Sequence, residues 1–216
     1  MNSIIAAAIA RGIPEKTIVL LLLLPIIATI VAIIRQIIGF KTFGIYVPSI
    51  LTIVFLDVGL GPGLIVFLAI LFTGTFFRYL LKKVRLLYLS RMALVLTLVG
   101  ISVILLFLLA AYLGINSITR MSIISVLIMI ILVERFVNAQ IERGFEDAAT
   151  LTLETLAISV VGYFILVWQS LQNFILHYPW IVLIIILLNL ILGRWSGLRL
   201  MEYIRFREVL RHGKKQ

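Results

Sequence analysis

Long apolar runs alternate with short basic or glycine-containing breaks along the whole chain. Seven runs stand out: Thr17–Ile38, Phe43–Leu56, Leu64–Leu81, Met92–Leu113, Met121–Val133, Ala148–Trp168 and Phe174–Leu192. A helix needs about 20 apolar residues to cross about 30 Å of hydrocarbon. Five runs approach or exceed that length, while the second and fifth are shorter. The pattern predicts an all-α, polytopic membrane fold with seven transmembrane helices, of which helices 2 and 5 are short. The breaks are too brief to hold a soluble domain, so residues 17–193 read as one membrane domain. Residues 1–16 contain an apolar piece, Ser3–Ala10, that is too short to span and reads as an interfacial segment. Residues 194–216 form a basic tail. Thr17–Ile38 is long for a signal-peptide core and lacks a small-residue cleavage site, so it reads as retained.

Composition agrees with this pattern. Of the 216 residues, 63% are hydrophobic and 13% charged, against roughly 45–50% and 25% in soluble domains. A soluble globule of this size could not hide so much apolar surface. The chain has no cysteine, which removes disulfides, thiolate metal sites and cysteine nucleophiles. The net charge of +10 first suggests nucleic acid, but its placement argues otherwise. With seven spans and a cytoplasmic carboxyl terminus, 16 of the 19 Lys/Arg lie inside and 3 outside. Making both short segments re-entrant worsens the split to 12 against 7. The expected topology is therefore amino terminus out, carboxyl terminus in. The whole net charge sits in two stretches, Arg78–Arg91 and Arg194 onward, at +5 each. Lys82, Lys83, Arg85, Arg91, Arg194, Arg199, Arg205 and Arg207 are thus expected to meet anionic lipid head groups or a partner. Nucleic acid is not an expected ligand.

Runs one to three read long, short, long, and so do runs four to six. Gly39-Phe40-Lys41-Thr42-Phe43-Gly44 leads into a segment ending at Asp57. Gly114 to Arg120 leads into one ending at Glu134. Three spans per unit would invert the second copy, giving a 3+3 inverted repeat plus one helix. Transporters with inverted repeats place their sites at such short or Pro-interrupted segments. Pro48 in the short second segment, with Lys41 and Thr42 before it, is a candidate on that ground.

A charge in lipid is costly, by about 2.5–3.5 kcal/mol on insertion scales. Glu154 is the sharpest case. Beside it Thr152, Thr155, Ser159 and Gly162 recur at three- and four-residue spacing, giving a small polar face. Glu154 therefore either faces a cavity or a buried arginine, or reaches the interface through water. Asn189 suits an interhelical hydrogen bond, and Arg35 can snorkel from the inner end of the first span. The stretch Glu134–Asp147 holds two Glu-Arg pairs, Glu134-Arg135 and Glu142-Arg143. It reads as a folded, ion-paired inner turn or as a solvated loop, with Gly144 ending one helix and Glu146 and Asp147 starting the next.

Enzyme motifs are lacking. His177 and His212 fall on opposite sides of the membrane, which disfavours a shared metal site or a nucleophilic triad. Gly59-Leu60-Gly61-Pro62-Gly63 lacks the strand a nucleotide loop needs and reads as a tight outer turn. No cofactor or metal is expected.

Several motifs resemble a known family. They are Arg35-Gln36-Ile37-Ile38-Gly39-Phe40-Lys41-Thr42-Phe43-Gly44 with Val47-Pro48, then Glu134-Arg135-Phe136 and Glu142-Arg143-Gly144. The ending Gly193-Arg194-Trp195-Ser196-Gly197-Leu198-Arg199-Leu200, with Glu202 and Arg205-Phe206-Arg207, completes the set. Together they resemble the bacterial seven-transmembrane domain usually fused to an inactive transglutaminase-like domain, over residues 17–211. In that family the fused domain precedes the first span on the outer side, in keeping with an outer amino terminus. Here sixteen residues precede that span, so a separately encoded transglutaminase-like protein in the periplasm is an expected partner. Leu86-Leu87-Tyr88-Leu89-Ser90-Arg91 is more weakly similar to the multi-pass membrane component of the poly-γ-glutamate synthase complex, a non-catalytic neighbour of an ATP-dependent amide ligase.

The resemblance implies a non-catalytic subunit of the bacterial cytoplasmic (inner) membrane. It would work with a cytoplasmic ATP-grasp ligase in making or exporting a peptide-like, polyglutamate-type polymer. Two alternatives stand beside it. One is a secondary transporter coupling through Glu154, Asp57 or Glu134. The other is a scaffold without a conduit, and self-association is compatible with each.

Overall fold

The computed structural model describes residues 7, 9–82, 84 and 87–194. The expected residues Lys83, Arg85, Arg199, Arg205 and Arg207 lie outside this set, as do most of the interfacial segment and the basic tail. Among the described residues the structure is all-α. Helix α1, Glu15–Ile33, starts after Pro14 and carries Glu15 in its first turn, where a carboxylate suits the helix dipole. It widens into a π turn, Ile34–Ile38, closed by the Gly39 N–H donating to the Ile34 carbonyl. Gly39 has φ 100°, a conformation glycine adopts without strain.

Helix α2 is Tyr46–Val58. Pro48 falls in its first turn, where the missing N–H has no helical partner to lose. Its 13 residues make about 20 Å, short of the hydrocarbon thickness. Gly59 alone, at φ 93°, separates it from α3, Leu60–Leu81. The expected five-residue outer turn is thus a single residue, because Pro62 also fits a helical first turn. Helix α4 is Tyr88–Tyr112. Gly114 and the helical turn Asn116–Thr119 lead to α5, Ile123–Arg143.

Helix α5 corrects two expectations. It has 21 residues rather than a short run, and the inner turn shrinks to Gly144 at φ 93°. The charges of Glu134 and Arg135 do not end it, because its buried stripe continues past them. Val126, Met129, Val133, Phe136, Val137 and Gln140 are all buried at helical spacing. Adjacent Glu-Arg residues in a helix point to different faces, so the expected paired turn does not form. Helix α6, Phe145–Val167, starts with Glu146 and Asp147 in its first turn as expected.

The last apolar run also departs from a straight span. It is two helices, α7 (Gln169–His177) and α8 (Ile181–Gly193), bent by 103°. The break holds Pro179, which has no N–H and pushes the preceding Tyr178 out of the helical region. Among the described residues, five helices are long and apolar enough to cross a membrane, or six if the bent pair is one span. Large apolar side chains point outward along them. Leu105, Leu108 and Leu109 of α4 are each about 60% exposed, as suits a surface that faces lipid or another apolar surface rather than water.

The chain divides into two units, residues 1–53 with 154–216 and residues 54–153. The boundaries fall inside α2 and α6. Helices α2 and α5, which a 3+3 repeat would pair, differ in length by eight residues. The length match behind the repeat therefore does not hold. In the first unit α8 and α7 pack on α1, with Leu23, Ile27 and Val31 fully buried. In the second, α3 packs on α4 and α5. Gly74 lets Val99, Val133 and Val137 close over α3, and Gly63 receives the ring of Phe55.

Candidate functional site

The buried face of α6 reads Ala148, Thr152, Thr155, Ser159, Gly162 and Leu166. These residues recur at spacings of three and four. Small residues at such spacing let backbones approach closely in a membrane. In the first unit this face gathers several of the expected site residues. The Lys41 backbone N–H donates to Glu154 Oε2. Two residues on, the Phe43 N–H donates to Thr155 Oγ1 at 3.4 Å. Thr42 is buried and its hydroxyl donates to the Gly44 carbonyl at 2.8 Å. Gly39 and Gly44 find their acceptors in the π turn and within the turn itself, whereas the Lys41 and Phe43 N–H groups, which need partners where the turn packs beside a helix, find them on α6.

One turn along α6, Ser159 Oγ lies 2.8 Å from the Thr155 carbonyl and 3.2 Å from that of Pro48. Thr52 Oγ1 lies 2.8 Å from the same Pro48 carbonyl and 3.1 Å from the Ser159 carbonyl. Thr52 and Ser159 are wholly buried. Pro48 thus does not offer its backbone to a substrate; two protein hydroxyls occupy its carbonyl. Gly162 completes the seam, since a Cβ there would lie 2.4 Å from Ile27 and 2.8 Å from Thr52.

A second tie in this unit joins α8 to α1. Asn189 Nδ2 donates to Thr29 Oγ1 at 2.8 Å, and that hydroxyl donates to the Pro25 carbonyl at 2.8 Å. Gln36 of the π turn donates to the Leu192 carbonyl at 2.6 Å. Arg35 is half-buried, and its Nε is buried with no hydrogen-bond partner. Sequence reasoning missed Thr29 and Gln36. The four-residue step from Pro25 to Thr29 was the available signal, because a threonine so placed reaches back to the proline carbonyl. Asn189→Leu should destabilise the protein by only about 0.6 kcal/mol, the average for hydrogen bonds between membrane helices. A thermal melt of the purified protein in detergent checks this, and a shift larger than that of Glu154→Ala would contradict it.

The other expected residues belong to the second unit. Asp57 accepts a hydrogen bond from Ser125 at 2.9 Å. Glu134 is half-buried and Arg135 exposed in the middle of α5. Lys82 is exposed at the end of α3, and Arg91 of α4 donates to the Val84 carbonyl at 3.2 Å. Arg194 is exposed just beyond α8, in the first unit. Gln140, which sequence reasoning also missed, accepts from Arg78 and donates to Thr75 at 3.4 Å. Its position on the apolar stripe of α5 was the signal, since a polar residue there must find a partner. Among the described residues no three or more His, Cys, Asp or Glu side chains are grouped to hold a metal ion.

Stacked apolar helices facing lipid, joined by hydroxyl seams and main-chain caps, define a multi-pass α-helical membrane domain. Residues 12–210 match the family described as seven transmembrane helices usually fused to an inactive transglutaminase, and the chain belongs to that family. The described residues hold five long apolar helices, the shorter α2 and the bent α7–α8 pair. No curated protein and no solved structure gives a significant match.

Proposed function

We propose that this membrane domain is a non-catalytic subunit of a bacterial inner membrane. It works with a cytoplasmic ATP-dependent amide ligase and a transglutaminase-like protein in making or exporting a peptide-like, polyglutamate-type polymer. Family membership carries the association with transglutaminase-like proteins. The observation that favours a subunit over a self-sufficient transporter is the use of Glu154. Its carboxylate caps the backbone of the Gly39–Gly44 turn, as a structural group does, and the hydroxyls beside it bond to one another's main chain. The excess of basic residues around α3 and α4 suits an acidic partner or product.

Affinity capture from membranes should recover an ATP-dependent ligase, and deletion of the gene should reduce polymer release. Recovery of no ligase together with unchanged release would overturn the proposal. Ion-coupled flux in proteoliposomes that Glu154→Gln abolishes would favour the transporter instead.

A further inference from the structure

The end of α3 that carries Arg78 borders a cavity of about 560 Å³. Its walls come from α3, from the end of α5 and from the Gly144-Phe145 turn. Along α3, Phe72, Thr75, Phe76, Tyr79 and Lys82 line it at three- and four-residue spacing, so they share one face. Arg78 joins them. Gln140 is 3% exposed and holds the guanidinium from behind through its side-chain oxygen. Its own amide is held in turn by Thr75. A guanidinium carries five N–H donors in a fixed fork. Gln140 takes one and thereby orients the rest. Lys82 follows one turn later and adds a second cation at the same end.

Depth gives this cavity two chemically different ends. Arg78 lies three residues from the last residue of α3, or about 5 Å along the axis. At the end of a 22-residue apolar helix, long enough to cross the hydrocarbon, that is where head groups are expected. Phe72 lies six residues further in, about 9 Å deeper, within hydrocarbon. Phe72 and Phe76 are 70% and 53% exposed, which leaves their rings accessible to an acyl chain. Across the cavity, Phe145 presents a further ring. Gly144 has no atom within 4 Å of where a Cβ would stand, so the wall between α5 and α6 is open there. Glu146 and Asp147 occupy the first turn of α6. An anion is therefore received by the cations of α3 and not by that helix terminus.

We infer that this cavity binds one anionic amphiphile, its phosphate on Arg78 and Lys82 and its acyl chain along Phe72 and Phe76. The shared chemistry is a phosphate anion, and two sources could provide it, a lipid head group or a soluble phosphate. The aromatic end favours the lipid. This inference is independent of the polymer-related function: it requires neither a ligase nor a transport cycle.

The test uses the full chain reconstituted in phosphatidylcholine nanodiscs doped with phosphatidylglycerol, with retained lipid read by native mass spectrometry. The wild type should retain phosphatidylglycerol over phosphatidylcholine. Arg78→Gln should reduce that preference about fivefold, as expected for one cation at a membrane surface, and Lys82→Gln should reduce it similarly. Arg78→Lys, which keeps the charge, should retain most of it and guards against a folding defect in the glutamine variant. Arg135→Gln removes a cation from α5 that does not line the cavity and should change nothing. Phe72→Ala should weaken retention of the lipid, and inorganic phosphate should not displace it. A preference unchanged in the Arg78→Gln, Lys82→Gln double variant would overturn the inference. So would an equal loss in Arg135→Gln, or full displacement by inorganic phosphate alone.

Discussion

Gly162→Leu is expected to prevent stable folding, and Gly162→Ala to lower stability by about 1–2 kcal/mol. The hydrogen that glycine presents at this position is the only substituent the seam admits. A Cβ would stand 2.4 Å from Ile27 Cδ1 and 2.8 Å from Thr52 Oγ1. The end of Ile27 can rotate, although its side chain is wholly buried. Thr52 cannot move without giving up its contacts to the Pro48 and Ser159 carbonyls. Overpacking of this kind costs about 1–3 kcal/mol. The better helix propensity of alanine recovers at most about 1 kcal/mol, so the clash dominates. In a thermal melt the alanine variant should lose roughly 2–4 °C per kcal/mol. Gly100→Ala is the control, since nothing lies within 4 Å of its added methyl, and it should melt no lower than the wild type. If Gly162→Ala melted like Gly100→Ala, the close packing of α6 on Thr52 and Ile27 would be wrong.

The second large effect is expected at Glu154, where two substitutions should separate. Glu154→Ala removes the acceptor for the Lys41 N–H and should destabilise the protein by about 1–2 kcal/mol. Lys41 itself is exposed, so water takes over part of the lost bond and the upper end of the range for charged acceptors is not reached. Glu154→Gln keeps an oxygen at the same place and should cost less than half as much. The ratio identifies the role. A structural cap tolerates the amide, whereas a group that must gain and lose a proton does not. Stability and polymer release measured side by side on both variants test this. A glutamine variant that folds normally yet fails in release would assign Glu154 to chemistry rather than to architecture.

Most of the fold was legible because the membrane makes a simple demand. An apolar run of about 20 residues must close its hydrogen bonds within itself, so α1, α3, α4 and α6 follow from hydropathy. Helix α5 was misread at the point where hydropathy and periodicity disagree. Glu134 and Arg135 lower the local hydropathy, while Phe136, Val137 and Gln140 continue the buried stripe of Met129 and Val133. The stripe prevails because a helix packed against protein can carry charge on its other faces. The α7–α8 bend shows the reverse failure. Phe174–Leu192 is apolar enough to span, but Pro179 breaks the ladder and the chain turns by 103°.

The sequence by itself determined the class of protein, its family and the small polar face of α6. These rest on composition, motif order and spacing, which are local properties. Only the tertiary structure decided what that face does. Lys41 with Pro48, and Glu154 with Thr155 and Ser159, were two separate groups of candidates, more than a hundred residues apart along the chain. Folding joins them because the Gly39–Gly44 turn has backbone N–H groups to satisfy and α6 has the oxygens to satisfy them. The partners of Arg78 were likewise invisible, since Gln140 and Thr75 meet it only when α5 packs on α3. Hydropathy records what each residue prefers to face, whereas a hydrogen bond needs two residues at one place, and packing alone supplies that.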